Sequence, residues 1–83
     1  MVRYYLHFRD GTDESLDPEG REFSDIQAVR RAALEGARDV IANEIKSGGV
    51  MDLRYRIEVE NEAGTIVHRL AFKDAVTIIG ENV

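Results

Sequence analysis

The feature that most constrains the fold is a helical pattern of apolar residues from about residue 24 to residue 47. Its apolar positions fall within an arc of roughly 160° at about 100° per residue. They are Ile26, Val29, Ala33, Leu34, Ala37, Val40, Ile41 and Ile45. Ser24 is a suitable N-cap, a Gly-Gly pair after residue 47 supplies a stop signal, and only Arg30 and Glu44 interrupt the stripe. The pattern predicts one long helix, and the alanines at its centre would let it lie close to a sheet.

Stretches before and after this helix alternate between apolar and polar residues, as half-buried strands do. In residues 2–9 the apolar set is Val2, Tyr4, Leu6 and Phe8. In residues 52–60 it is Leu53, Tyr55, Ile57 and Val59. Residues 65–72 predict a further strand, joined to the preceding one by a hairpin loop in which Gly64 takes a left-handed conformation.

The segment between the first strand and the helix is polar, and its pattern is less distinct. Asp-Gly at residues 10–11 predicts a tight hairpin turn with positive φ angles, followed by a weak return strand in residues 12–16. The sequence DPEG at residues 17–20 fits a type I turn with proline at the second corner. We therefore expect a hairpin and a loop in residues 10–23.

The predicted elements follow the order β-(β)-α-β-β, which is typical of an α+β domain. We expect three or four mainly antiparallel strands, with the long helix packed on one face of the sheet. A chain of 83 residues forms a single domain, residues 1–83, with a small core. Nothing remains in the chain to cover the opposite face of the sheet, which is called the outer face below.

The residue types needed for catalysis or metal binding are sparse. The chain has no cysteine, and strand alternation places its two histidines, His7 and His68, on opposite faces of the sheet. No serine has a convincing base partner. The acidic run at residues 10–19 does not match the calcium-loop template, because it lacks glycine at the sixth position and glutamate at the twelfth. We therefore expect no enzyme activity, no bound metal and no cofactor.

Net charge and hydropathy limit which classes of partner the protein can bind and where in the cell it can be located. Sixteen acidic against eleven basic residues give a net charge of −5, which opposes nonspecific contact with nucleic acid or anionic lipid. No segment is long and apolar enough to span a membrane, and charged residues interrupt any secretion signal near the N-terminus. Together with the absence of cysteine, this favours a cytoplasmic protein.

The outer face of the predicted sheet is the best candidate for a binding surface. Its candidate residues are Arg3, Tyr5, His7, Arg9, Arg54 and Arg56. Tyrosine and arginine suit protein interfaces, so a protein partner, or self-association as a homodimer, is the leading hypothesis. One alternative is a self-satisfied surface, in which Asp52, Glu58 and Glu60 pair with these arginines across strands. The others are single-stranded nucleic-acid binding, which the net charge disfavours, and an enzyme with an unrecognised site.

Three motifs extend over most of the chain: RYYLHFRDG at residues 3–11, DPEGREFSD at residues 17–25, and IEVENEAGTIVHRLAFKDA at residues 57–75. Together they resemble a family of short bacterial proteins of unknown function, which open with Arg-Tyr-Tyr or Arg-Tyr-Phe and close on Phe-x-Asp-Ala. The resemblance covers about Arg3 to Val76 and implies a complete single-domain protein. It brings no activity, cofactor or catalytic residue.

Overall fold

The structure is a computed structural model that describes residues 1–80, so the last three residues of the predicted domain lie outside the described part. Its elements in chain order are β1 (Val2–Arg9), β2 (Glu14–Ser15), β3 (Arg21–Phe23), α1 (Ile26–Gly48), β4 (Arg56–Asn61) and β5 (Ile66–Ala71), followed by one 3-10 turn (Phe72–Asp74). One long helix packs on a mainly antiparallel sheet. The predicted α+β fold is therefore confirmed.

The sheet is built around the pairing of β1 with β4. The order across the sheet is β2-β1-β4-β5, β3 also pairs with β1, and every pairing is antiparallel. The two short strands share one edge of β1, since β2 pairs at Phe8 and Arg9 whereas β3 pairs from Val2 to Tyr4. Residues 1–80 therefore form five strands instead of three or four. Strand β3 was missed because three residues are too few to show an alternating pattern.

Helix α1 begins one residue later than its predicted cap implies. The carboxylate of Asp25, not Ser24, accepts a hydrogen bond from the Ala28 N–H at 2.9 Å. Both residue types are good N-caps, so the sequence pattern alone does not separate them. At the other end, Gly49 has a left-handed φ of 68° and its N–H donates to the Ile45 carbonyl, as the glycine stop signal predicts. No helix of the described residues is both long and apolar enough to cross a membrane.

The core lies in one layer between α1 and the sheet. The fully buried helix residues recur at every fourth position: Val29, Ala33, Ala37 and Ile41. The small side chains let α1 approach the sheet as predicted, and a Cβ placed on Gly36 would lie 3.9 Å from Ile57 Cδ1. Phe72, in the 3-10 turn, is fully buried and lies edge-on to Phe8 with ring centroids 6.2 Å apart. Tyr55 flanks the same ring at 5.7 Å.

The hairpin loops confirm one predicted turn and correct another. Between β4 and β5, Gly64 has a φ of 83°, and the side chain of Asn61 accepts hydrogen bonds from two N–H groups of the loop. Between β1 and β2, the predicted tight Asp-Gly turn is wrong, because Gly11 is not among the described glycines with positive φ. Instead, residues 10–13 form a longer loop, in which the Asp10 carboxylate accepts hydrogen bonds from two backbone N–H groups.

Strand β4 begins later than predicted. The alternating pattern indicated a strand over residues 52–60, whereas pairing with β1 begins at Arg56. Arg54 lies before the strand, where the Asp52 carboxylate accepts hydrogen bonds from its backbone N–H and its guanidinium. A side-chain turn at Asp52 therefore replaces the first residues of the predicted strand.

Candidate functional site

The outer face of the sheet carries charged side chains from three neighbouring strands. They alternate along each strand with the residues that face α1. The outer-face residues are Arg3, Tyr5, His7 and Arg9 from β1, Arg56, Glu58 and Glu60 from β4, and Arg69 from β5. In the ladders His7 lies opposite Glu58, and Glu58 lies opposite Arg69. The Glu58–Arg69 pair sets opposite charges on adjacent strands and favours the β4–β5 register, whereas Arg9 and Arg56 are like charges opposite each other in the β1–β4 ladder.

Glu58 is the centre of this face. The residue is only 6% exposed, although residues 1–80 form no second layer on this side of the sheet. Arg69 Nε donates to Glu58 Oε2 at 2.7 Å, and Arg56 Nε lies 3.6 Å from the same oxygen. Arg9 Nε lies 3.0 Å from Oε1 without the alignment of a hydrogen bond. The hydrogen bond from Arg69 lowers the pKa of Glu58, against the opposing effect of burial, and the charges of Arg56 and Arg9 lower it further.

Arg9, Arg56 and Arg69, gathered around Glu58, are called the arginine cluster below. A second acid, Glu14 on β2, contacts Arg9 Nη1 at 3.1 Å. Three guanidinium groups therefore meet two carboxylates, which leaves one positive charge in excess. The side chains of Arg56 and Arg69 are 41% and 65% exposed. Since a guanidinium has five N–H donors and Arg69 uses only Nε within residues 1–80, both groups keep donors directed at solvent.

His7 does not present its ring to a partner, contrary to the prediction of an open outer face. It is 5% exposed, because residues 16–20 fold over it between β2 and β3. The Asp17 backbone N–H donates to His7 Nδ1 at 3.0 Å, and Nε2 lies 2.8 Å from Glu60 Oε1. Since Nδ1 accepts a hydrogen bond, the proton of a neutral ring is on Nε2 and is donated to Glu60.

Asp17 and Gly20 hold this covering loop in place. The Asp17 carboxylate accepts hydrogen bonds from the N–H of Leu6 at 3.3 Å and of Gly20 at 3.0 Å, so it occupies the part of the β1 edge that neither short strand covers. Gly20 has a φ of 69°, and a Cβ there would lie 2.8 Å from the Tyr4 carbonyl oxygen and from the Tyr5 ring. Only glycine satisfies both the conformation and the space. The sequence predicted a type I turn at residues 17–20; the structure has a bend there that is closed by the Asp17 side chain, and its contact with His7 was not predicted.

The remaining candidates, Arg3, Tyr5 and Arg54, lie outside the arginine cluster. Arg3 Nη1 donates to the Glu19 carbonyl at 2.8 Å, which ties it to the covering loop. Tyr5 is half-buried against Gly20. Arg54 is 82% exposed and forms a two-point contact with Asp52, with Nε–Oδ1 and Nη2–Oδ2 distances of 3.0 and 2.8 Å. The pairing lowers the pKa of Asp52 to about 2 and raises the pKa of Arg54. The structure therefore brings Arg9 and Arg56 together, but places Arg54 elsewhere.

The predicted pairing of acids with these arginines is confirmed in part. Asp52 and Glu58 contact arginines, whereas Glu60 contacts His7 instead. Arg69 was not named as a candidate, because its strand has two mixed faces in the sequence. Its position opposite Glu58 depends on a register shift between Val59 and Glu60, since pairing counted from the Asn61–Thr65 hydrogen bond would place His68 there instead.

The two histidines lie on opposite faces, as the alternation predicts, since His7 pairs with Glu58 in the ladder and His68 with the core residue Val59. Burial lowers the pKa of His68, and the charge of Arg30 on α1 lowers it further. Within residues 1–80 no group of three or more histidine or acidic side chains is arranged to hold a metal ion.

Comparison with known proteins gives one result. No curated protein and no solved structure matches this chain. The family model described as "Domain of unknown function (DUF6894)" matches residues 3–73, which covers β1 from Arg3 onward, β2 to β5, helix α1 and the whole arginine cluster. The chain therefore belongs to the DUF6894 family of domains of unknown function.

Proposed function

We propose that the protein is a non-catalytic binding module that takes an acidic segment of a partner protein on the outer face of its sheet. The observation that carries this proposal is the arginine cluster around buried Glu58, where three guanidinium groups meet two carboxylates. The exposed members, Arg56 and Arg69, are the primary contacts. Arg3 and Tyr5 lie towards the far end of β1, and Arg54, paired with Asp52, takes no part in the cluster.

Glu58 makes the cluster suitable for binding by fixing its arginines before a partner arrives. A free arginine side chain loses rotamer entropy when it is held by a ligand. Arg69 is already held at Nε by Glu58, and its remaining N–H groups make no hydrogen bond within residues 1–80. A carboxylate from a partner can accept two parallel hydrogen bonds from such a planar group. Pre-ordering by Glu58 therefore lowers the entropic cost of binding.

A protein segment suits this face better than a nucleic acid does. Glu14 and Glu60 lie at the borders of the cluster, and the whole chain carries a net charge of −5. A continuous phosphate backbone would pass close to these acids, whereas single acidic side chains can contact the arginines between them. A second copy of the chain is also a possible source of the acidic segment. Single-stranded nucleic acid and a homodimer are kept as outcomes of the test.

The test is a binding titration with a fluorescent peptide of alternating glutamate and glycine, at low ionic strength. We expect saturable binding to the wild-type protein and no binding of the matched glutamine peptide. The double variant R56E/R69E should weaken binding about tenfold or more, because it replaces two attractive contacts by two repulsive ones. The control is R31E, which reverses one charge, where the double variant reverses two, at an exposed position of α1. Circular dichroism checks that all three proteins are folded.

Two results would contradict the proposal. The first is the absence of saturable binding to the glutamate peptide, and the second is equal weakening by R56E/R69E and R31E. An oligothymidylate of the same charge is titrated in parallel, and tighter binding to it would replace the proposal by nucleic-acid binding. Sedimentation of the protein alone reports self-association, and a dimer lost in R56E/R69E but kept in R31E would identify a second copy as the partner.

A further inference from the structure

The two edges of the sheet are covered differently. At one edge, strands β2 and β3 pair with β1, and between them the Asp17 carboxylate accepts the Leu6 N–H. At the other edge lies β5 (Ile66–Ala71), six residues long and without proline, which pairs with β4 on one side. Within residues 1–80 no segment forms a backbone hydrogen bond with its other side. This side of β5 is called the free edge below.

The direction of the peptide groups along β5 follows from the hydrogen bond just beyond it. The Phe72 N–H donates to the Tyr55 carbonyl at 2.9 Å, so the peptide groups of Phe72 point to the side of β4. Successive residues of an antiparallel strand point these groups to opposite sides. Leu70 therefore bonds to β4, whereas the N–H and C=O groups of Arg69 and Ala71 point to the free edge. Such an edge is a template to which another strand can add.

The layer of side chains beneath α1 is less complete at this edge than in the middle of the sheet. Ile57 and Val59 of β4 are fully buried. Leu70 and His68, which lie opposite them on β5, are only half-buried. An added strand would place every second side chain on this side of the sheet, next to Leu70 and His68. Apolar side chains suit these positions, because they would remove the exposed apolar surface of β5 from water.

Cations lie on both faces of the sheet at this edge. On the outer face Arg69 belongs to β5 itself, and Arg56 approaches the same oxygen of Glu58. On the helix side, burial lowers the pKa of His68 and the charge of Arg30 lowers it further, which places Arg30 beside β5. An added strand with acidic side chains on the outer face would therefore meet complementary charge.

We infer that the acidic segment of the partner protein binds as an antiparallel β-strand added to the free edge of β5, with acidic and apolar residues in alternation. Its acidic side chains lie on the outer face beside Arg69, and its apolar side chains lie on the helix side beside Leu70. The pairing is antiparallel because every pairing in this sheet is. The inference rests on the proposed function and adds the conformation and the sequence pattern of the bound segment.

A second copy of the chain fits this edge less well than an acidic strand does. Two β5 strands paired antiparallel would carry their Arg69 side chains on the same face of the joined sheet. Like charges on adjacent strands destabilise the pairing. The charge of β5 therefore opposes self-association at the edge that would accept an acidic partner.

The first experiment titrates the whole chain with three fluorescent peptides of alternating glutamate and valine: one unmodified, one N-methylated at its glutamates and one N-methylated at its valines. In an antiparallel ladder the residues opposite Arg69 and Ala71 exchange hydrogen bonds with them and lie on the same face, so they are the glutamates. Methylation at glutamate should weaken binding about tenfold or more, because it removes the bonded N–H groups. Methylation at valine removes N–H groups that point away from β5 and should leave binding unchanged.

Equal binding of the two methylated peptides, or weakening by methylation at valine alone, would overturn the inference. If the unmodified peptide still binds in that case, the proposed function stands, because the arginines hold acidic side chains without strand pairing. Absence of binding by every glutamate peptide would instead remove the proposed function, and the inference with it.

Hydrogen exchange of the protein measures strand addition directly. The N–H groups of Arg69 and Ala71 should exchange fast in the free protein and slowly in the complex with the unmodified peptide. The Leu70 N–H, bonded to β4, should exchange slowly in both. Unchanged exchange at Arg69 and Ala71 on binding would contradict an added strand.

The variant A71P tests the same edge from the side of the protein. Ala71 has a φ of −74°, close to the value that proline requires, and its N–H is not used by the sheet, so the fold should accept proline there. A71P should weaken binding of the unmodified peptide about tenfold, whereas the control A71S keeps the N–H and should bind as the wild type does. Undiminished binding by a folded A71P would refute the inference. A dimer in sedimentation that is lost in A71P and kept in A71S would replace the acidic partner by a second copy.

Discussion

Glu58 and Glu44 are both glutamates with buried carboxylate oxygens, yet the fold treats them in opposite ways. Glu58, on the outer face, meets three arginines, whereas Glu44 Oε2, on the helix side, has no partner in residues 1–80. The difference shows that burial alone does not indicate the role of an acid. A buried acid with several partners organises its neighbours, while one without a partner marks a place where a donor is missing.

The largest expected difference between the two acids is the loss of stability when the charge of Glu58 is removed. E58Q should lower the free energy of unfolding by about 2–4 kcal/mol, because three arginines lose their shared anion. E44Q should leave stability unchanged or raise it by up to about 1 kcal/mol, because it removes an unsatisfied charge. Urea denaturation at neutral pH measures both, with E22Q as a control at an exposed acid that has only a 3.7 Å contact with Arg3.

Equal losses in E58Q and E44Q would remove the distinction between the two acids. A loss in E58Q no greater than in E22Q would mean that the arginines find other partners or water once Glu58 is neutral. In that case the arginine cluster would not be held in place by Glu58, and the pre-ordering argued for the outer face would fail as well.

The next prediction concerns the loop of residues 16–20, which covers His7 on the outer face beside Glu58. Gly20 and Gly49 have nearly the same φ, 69° and 68°, but only Gly20 has neighbours that a Cβ would strike. G49A should cost about 1 kcal/mol for its left-handed conformation, and G20A about 2–3 kcal/mol, because the clash with Tyr4 and Tyr5 is added. Denaturation curves of the two variants isolate the contribution of close packing.

A result in which both glycine variants lose the same stability would show that the loop moves away at little cost. His7 would then be only loosely covered. Hydrogen exchange of the Asp17 N–H provides a second measurement, since G20A should speed its exchange whereas G49A, at the far end of α1, should not.

The sequence predicts more of the fold than of the candidate site. Helix α1 and strands β1 and β4 were predictable because their apolar residues recur at fixed periods over many positions. The two-residue strand β2 was expected only as a weak strand, and β3 was missed, because their pairing depends on the edge that β1 offers. Arg9 and Arg56 were identified from alternation, but Arg69 lies opposite Glu58 only because the register shifts between Val59 and Glu60. The burial of His7 depends on a loop docking across the chain, which no local pattern encodes.

Protonating Glu58 by lowering the pH should change the stability less than replacing Glu58 does. The hydrogen bond from Arg69 and the nearby arginine charges lower the pKa of Glu58 below its ordinary value. A carboxyl whose pKa is lower in the folded than in the unfolded state stabilises the fold above its unfolded pKa, and this contribution is lost as the pH falls through the folded value. The stability difference between wild type and E58Q should therefore be largest at neutral pH and shrink below about pH 4. A difference that stays constant from neutral to acidic pH would contradict the ionised, arginine-paired state of Glu58.

The smallest effect concerns a single proton on His7, and it is visible only by spectroscopy. Because Nδ1 accepts from the Asp17 N–H and Nε2 lies 2.8 Å from Glu60, we expect one neutral tautomer with the proton on Nε2. In nitrogen-15 spectra at neutral pH, Nδ1 should have the shift of an unprotonated ring nitrogen and Nε2 that of a protonated one. His68 makes no side-chain hydrogen bond within residues 1–80, so its ring should show the averaged shifts of exchanging tautomers and serves as an internal comparison. Averaged shifts at His7 would show that its two contacts do not fix the proton, and the covering loop would then be held by Asp17 and Gly20 without the histidine.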